Sequence, residues 1–209
     1  FGLASLHPRW NVSGTYMQVL PRFVSTDENG QDEREFLMDY FETEEEMLSM
    51  IFLKGYQWPF DVNKIFGGSS VVDLLVYQET ILKGRKVYLD FTKNPGSGNI
   101  PFEKLSQKAY DYLKQAGALF GAPIERLRQM NEPAIRFYQD HKVDLYQEKL
   151  EIAICAQHNH GGISTDAYWE TKIHGLFAVG EACGSHGVTR PGGTALNAGQ
   201  VGAVRAAGK

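Results

Sequence analysis

The pattern of the chain changes at Lys149, and that change limits the folds open to it. Downstream, "KLEIAICAQ" alternates and then runs apolar, as a largely buried strand does. "HNHGGISTD" is a turn, and "IHGLFAVGEA" is a second apolar strand entering a glycine-marked turn. "TALNAGQVGAVRAAG" is then a helix with small residues on several faces, suited to close packing against a sheet. This strand–strand–helix piece, residues 151–209, is of α/β type and too short to be a complete parallel sheet. It reads as the tail of a larger domain. No G-x-G-x-x-G follows a strand in this chain.

Upstream, residues 1–150 read as a mixed α+β unit. The β-formers of "TYMQVLPRFV" predict strand, with Asn29-Gly30 as a turn. Thr43 and Glu46 make a capping box for the helix "EEEMLSMIFLK", which Gly55 ends. Ser69 or Ser70 caps "VVDLLVYQETILK", where Val72, Leu75, Val76, Glu79 and Leu82 fall near helical spacing and Gly84 is the stop. "KVYLDF" is a short strand. Pro101 is placed to start a helix running to Gly117, and Pro123 and Pro133 start or break helices up to about Asp140.

Composition narrows the function classes. A net charge of −4 provides no basic field for nucleic acid. No apolar run reaches the length of a membrane span. Cys155 and Cys183 match no zinc spacing and are expected as free thiols in a reducing compartment. His158 and His160, in a glycine turn without a third ligand nearby, do not make a metal site, so no metal is expected. The chain begins Phe-Gly, without methionine, which suggests a fragment of a longer protein.

The stretch "HGVTRPGGTALNAG", residues 186–199, carries the chemistry. A helix start offers N–H groups and the positive end of the helix dipole. Gly192 and Gly193 leave the backbone open to close approach, and Arg190 adds a guanidinium fork suited to a carboxylate. Together they can cradle an acidic substrate and the heteroatom edge of a cofactor. The alternative on spacing alone is a glycine turn into a packed helix with Arg190 on the surface.

"GLFAVGEACGSHGVTRPGGTALNAGQVGAVRAA" resembles the C-terminal flavin segment of the succinate dehydrogenase/fumarate reductase flavoprotein family. The resemblance lies in Gly175–Glu181, His186-Gly187 and the run Arg190-Pro191-Gly192-Gly193-Thr194-Ala195-Leu196. Leu6-His7-Pro8, "KGRKVYLDF" and "HNHGGIST" extend it backwards.

What it implies is a capping domain (residues 1–150) joined to the C-terminal part of an incomplete dinucleotide-binding FAD domain (151–209), whose N-terminal part is absent. FAD is then the cofactor of the intact protein, an FAD-dependent oxidoreductase, and these 209 residues alone are expected to be inactive. Glu181 resembles the acid that binds the FAD ribitol or ribose. Ala195 and Leu196 resemble residues whose N–H groups meet the flavin pyrimidine edge, behind Gly192 and Gly193. Arg190 and His7 resemble substrate-binding residues. A second substrate histidine falls on Gln157, one residue from His158. The proton-donating arginine of the family falls on Leu75. The nearest upstream cation is Lys64, so the catalytic acid is unassigned. The implied partners are a small carboxylate substrate and an electron-transfer protein. The implied setting is cytoplasmic, with membrane association through a partner subunit. The competing class is a non-enzymatic module that uses the cap to bind a partner protein.

Overall fold

The computed structural model describes residues 1–156, 161–186 and 194–209. Its five strands are β1 (Gly2–Leu6), β2 (Arg9–Asn11), β3 (Arg22–Thr26), β4 (Lys86–Asp90) and β5 (Leu150–Cys155). The α-helices are α1 (Thr15–Gln18), α2 (Glu44–Lys54), α3 (Ser70–Tyr77), α4 (Gln107–Gln115), α5 (Pro123–Asp140) and α6 (Thr194–Ala207). The chain divides into two compact units, Phe1–Cys155 and Ala156–Lys209. The architecture is α+β.

The first unit is built on one antiparallel sheet of order β2-β1-β5-β4-β3. Phe23, Leu89 and Leu150 form one cross-strand row, and Val87 and Ile152 share the next. All five are buried in the core with Met17, Leu48, Ile51, Phe52, Val72 and Tyr138. Tyr88 and Glu151, of opposite parity, are only half-buried. This one-sided burial is what period-2 alternation in an antiparallel sheet produces. The strand expected to open the second piece is thus β5, and it pairs antiparallel with β1 and β4 of the first unit.

Local signals explain most helix ends. Thr43 Oγ1 accepts the Glu46 N–H at 3.2 Å, so α2 starts where its cap predicts. Pro123 opens α5, and Pro133 lies beside a kink at Asn131 (φ −161°, ψ 67°). Arg126, fully buried, donates to the carbonyls of Val19 and Phe120 and to Asn94 Oδ1, pinning α5 to two loops. Burial pushes its pKa down to about 10, against the opposing pull of the Glu125 carboxylate.

Four expectations are corrected. "TYMQVLPRFV" is not continuous strand: Thr15–Gln18 coils into α1, burying Tyr16 and Met17, and β3 begins after Leu20 (φ 56°) and Pro21. Burial of these two side chains overrides β-propensity there. The helix expected from Pro101 instead starts behind Ser106. Leu105 is held extended and buried, and the Ser106 N–H donates to Ser49 Oγ at 3.0 Å. Leu82 leaves the apolar stripe. After Tyr77 the helix widens into a π-turn, Gln78–Leu82: Glu79 stays buried on the stripe, while Leu82, past the widening, is 67% exposed.

The fourth correction concerns "IHGLFAVGEA", which is not a strand. Among the described residues it makes only an isolated bridge, Glu170↔Phe177, and a 3₁₀ turn over Gly180–Cys183. A buried strand needs neighbours on both sides and cover on both faces. No second strand lies beside this one among the described residues, and Ile173 and Leu176 stay exposed.

Candidate functional site

The second unit is assembled from glycine contacts. The Ile163 N–H donates to Ala182 O at 2.8 Å, laying the Gly161–Ile163 segment along the Gly180–Cys183 turn. A Cβ on Gly162 would fall 2.5 Å from Ala182 O, so only glycine permits this approach. Within the turn, Gly180 O accepts the hydroxyl of Ser185 (2.9 Å), and Gly184 N–H donates to Glu181 O (2.9 Å). Helix α6 packs on the same turn. Gly180 sits at φ 61°, with the position of a Cβ 3.2 Å from Gly199 Cα, and Gly202 lies against Trp169 and Val179. Lys209 closes the end of α6 onto Asp166 (3.0 Å) and Glu170. Those contacts, Glu170 first, hold the Lys209 ammonium above its usual pKa.

Gly180→Ala tests this packing. A methyl at a left-handed backbone position, pressed on Gly199, is expected to cost about 1–3 kcal/mol. Limited proteolysis of residues 156–209 should accelerate in the variant. An unchanged cleavage rate would show that the Gly180–Gly199 approach is not needed.

The turn and the helix carry three of the residues singled out in the sequence. Glu181 is exposed on the 3₁₀ turn. Ala195 and Leu196 lie in the first turn of α6, where backbone N–H groups project past the helix start, and Leu196 is 75% exposed. An exposed carboxylate suits the hydroxyls of a cofactor, and a helix start suits an electron-rich ring edge. These residues fit a flavin nucleotide in donor and acceptor type. Arg190, Gly192, Gly193, Gln157, His158 and His160 lie outside the described residues. Among the described residues, no group of three His, Cys, Asp or Glu side chains can hold a metal ion.

The remaining candidates belong to the first unit. His7 is exposed in the two-residue turn with Pro8 that joins β1 to β2. Leu75 packs, half-buried, against the core from α3. Lys64 ends a 3₁₀ turn, Val62–Lys64, with its ammonium 3.6 Å from Asp61. Two open concavities of about 500 and 490 Å³ flank Thr92 and Lys93, and neither is lined by His7, Leu75 or Lys64.

Sequence reasoning passed over a fully buried ion pair of this unit. Lys54 at the end of α2 and Asp73 in α3 form an ion pair with both side chains out of solvent. Burial lowers the Lys54 pKa and raises that of Asp73, in each case against the pull of the partner. The signal was present. Met47, Leu48, Ile51 and Phe52 set the inward face of α2, and Lys54 falls three residues after Ile51. Glu79, which the helical spacing places with Val72 and Val76, is buried too and accepts from Ser25 Oγ (2.8 Å), Arg34 (2.9 Å) and Lys83 (2.6 Å). These contacts outweigh burial and hold its carboxyl below its ordinary pKa.

Residues 72–196, more than half of the chain and spanning parts of both units, match the FAD binding domain family. The chain is 38% identical over 75 residues to one component of the fumarate reductase (CoM/CoB) of Methanothermobacter marburgensis, covering 35% of this chain and 14% of that one. It is 41% identical over 68 residues to L-aspartate oxidase of Rhodospirillum rubrum, covering 32% and 24%. It is 45% identical over 56 residues to the fumarate reductase flavoprotein subunit of Escherichia coli K12, covering 26% and 9%. These matches span at most about a quarter of the relatives' lengths. No solved structure matches. Among the described residues no helix is long and apolar enough to cross a membrane.

Proposed function

We propose, from the premise that this chain belongs to the FAD binding domain family of FAD-dependent oxidoreductases, that it carries the closing portion of a flavin site together with a substrate-facing cap, and that the whole protein acts on a small carboxylate. The cap is residues 1–150 and the flavin portion 151–209. The observation that carries the reading is the glycine-built turn with Glu181 outward, docked on the helix that starts at Thr194, inside the stretch that matches the family. Relatives named fumarate reductase and L-aspartate oxidase support a carboxylate as substrate.

Bound FAD supplies hydride transfer at its N5 atom. The chain's residues do the rest. Glu181 accepts hydrogen bonds from cofactor hydroxyls. The N–H groups of Ala195 and Leu196, behind Gly192 and Gly193, would hold the ring edge of the cofactor and favour negative charge there. Arg190 grips the substrate carboxylate as a two-pronged donor, and His7, His158 and Gln157 complete its hydrogen bonding. An electron-transfer protein exchanges electrons with the flavin, in a cytoplasmic setting with membrane association through a partner subunit. Small dicarboxylates added to the FAD-loaded whole protein should perturb its visible flavin spectrum. A spectrum indifferent to fumarate, succinate and aspartate would reject the carboxylate assignment.

Fumarate itself should turn over poorly. Reducing an activated C=C needs a proton as well as a hydride. Leu75, packed on the core, cannot donate one. Lys64 is a poor substitute, because it is half-exposed and paired with Asp61. The whole protein assayed with fumarate and reduced viologen is expected to show little activity. Robust turnover lost in Lys64→Ala would make Lys64 the donor.

A further inference from the structure

The fifteen residues between α2 and α3, numbers 55–69, leave and re-enter the fold at neighbouring points. At the base, Lys54 and Asp73 meet as the buried ion pair. Just above it, the Ser69 N–H donates to Gln57 Oε1 (2.8 Å) and the Asp61 N–H to Ser70 Oγ (3.0 Å). Trp58 lies on Gly2, where a Cβ would come within 2.5 Å of its Nε1. Phe60 stacks on Phe1 at 4.3 Å, its N–H donating to Phe1 O at 3.0 Å. The lower loop is therefore tied to the start of α3 and to Phe1-Gly2. The tip, residues 62–68, is different: among the described residues its hydrogen bonds stay within the loop, the Asn63 N–H donating to Asp61 Oδ1 (3.0 Å) and the Lys64 N–H to Asp61 O (2.9 Å), with Gly68 against Lys64. Val62 is 66% and Phe66 90% exposed, and Gly67 takes φ 69°. Closed ends with an outlying tip define an Ω-loop, a class often functional.

We propose that residues 62–68 are a flap that swings on Asp61 and Gly67-Gly68 while the Lys54–Asp73 pair clamps the base of the loop. The clamp is needed because the loop joins two helices directly. Without it, flap motion would pull on the ends of α2 and α3. A flap held this way exposes or covers Phe66 and Val62 without unfolding either helix. The inference rests on the first unit alone and stands apart from the flavin reading.

Amide hydrogen exchange on the whole protein tests it. Residues 62–68 should exchange fast, while 56–61 and 69–73 stay protected. In Asp73→Asn the base amides should exchange at least about ten-fold faster, because Lys54 is left without its counter-charge. Val87–Leu89 of β4 should still exchange more slowly than the base amides in that variant, since local opening of the loop base need not reach the sheet. The apolar double variant Lys54→Met/Asp73→Leu should restore base protection. Equal exchange in tip and base of the wild type would overturn the proposal. So would a base unmoved in Asp73→Asn, or base and β4 amides exchanging at one common rate. Should Asp73→Asn not fold, the wild-type contrast and the double variant still decide.

Discussion

Lys54→Met is expected to destabilise the first unit by about 3–5 kcal/mol, because it strands a buried carboxylate without its counter-charge. Asp73 is fully buried, and Lys54 is the only salt-bridge partner of its carboxylate among the described residues. Without the ammonium, burial raises the Asp73 pKa further above its unfolded value. A group with a raised folded-state pKa gives stability that is present at low pH and lost as pH rises through that pKa. The variant should therefore be weakest near neutrality and recover toward acid. Lys54→Met/Asp73→Leu removes both charges, and should match or exceed the wild type at neutral pH with no such acid recovery. Urea unfolding at about pH 5 and about pH 8 reads both effects. A single variant as stable as the wild type at the higher pH would mean the pair is not buried in solution.

Arg190→Ala in the whole protein is expected to lower turnover of its carboxylate substrate by about two orders of magnitude or more, leaving flavin content nearly intact. Removing a two-pronged arginine–carboxylate interaction from a desolvated site costs on the order of 2–4 kcal/mol. Each ~1.4 kcal/mol is a factor of ten in rate. Flavin content separates the roles, since an arginine that serves the cofactor would lose FAD along with activity. Unchanged kinetics would return Arg190 to the surface-turn reading.

Signals that act within a few residues were legible in the sequence. The Thr43 cap, the Asn29-Gly30 turn and Pro123 at a helix start each work through one or two backbone hydrogen bonds or a fixed φ. What escaped depends on distant partners. The apolar run of β5 looked the same whether its neighbours were parallel strands of a flavin domain or β1 and β4, and only the fold selects between them. "IHGLFAVGEA" has the composition of a strand but no neighbour to pair with among the described residues. The π-turn at Gln78 broke a helical phase that one-dimensional spacing assumes constant. In the candidate site, the helix from Thr194 was legible in the sequence. The packing of Gly180 on Gly199 was not, because it joins residues nineteen apart through bare backbone.

The central claim is that this chain contributes the closing wall of a flavin site. Visible absorption of the whole protein, titrated with FAD, tests it most directly. The account predicts about one tightly held FAD per chain with the flavin bands shifted from those of free cofactor, and weak or no uptake by residues 1–209 alone. A whole protein that takes up no FAD, or a 209-residue chain that holds stoichiometric FAD by itself, would contradict it.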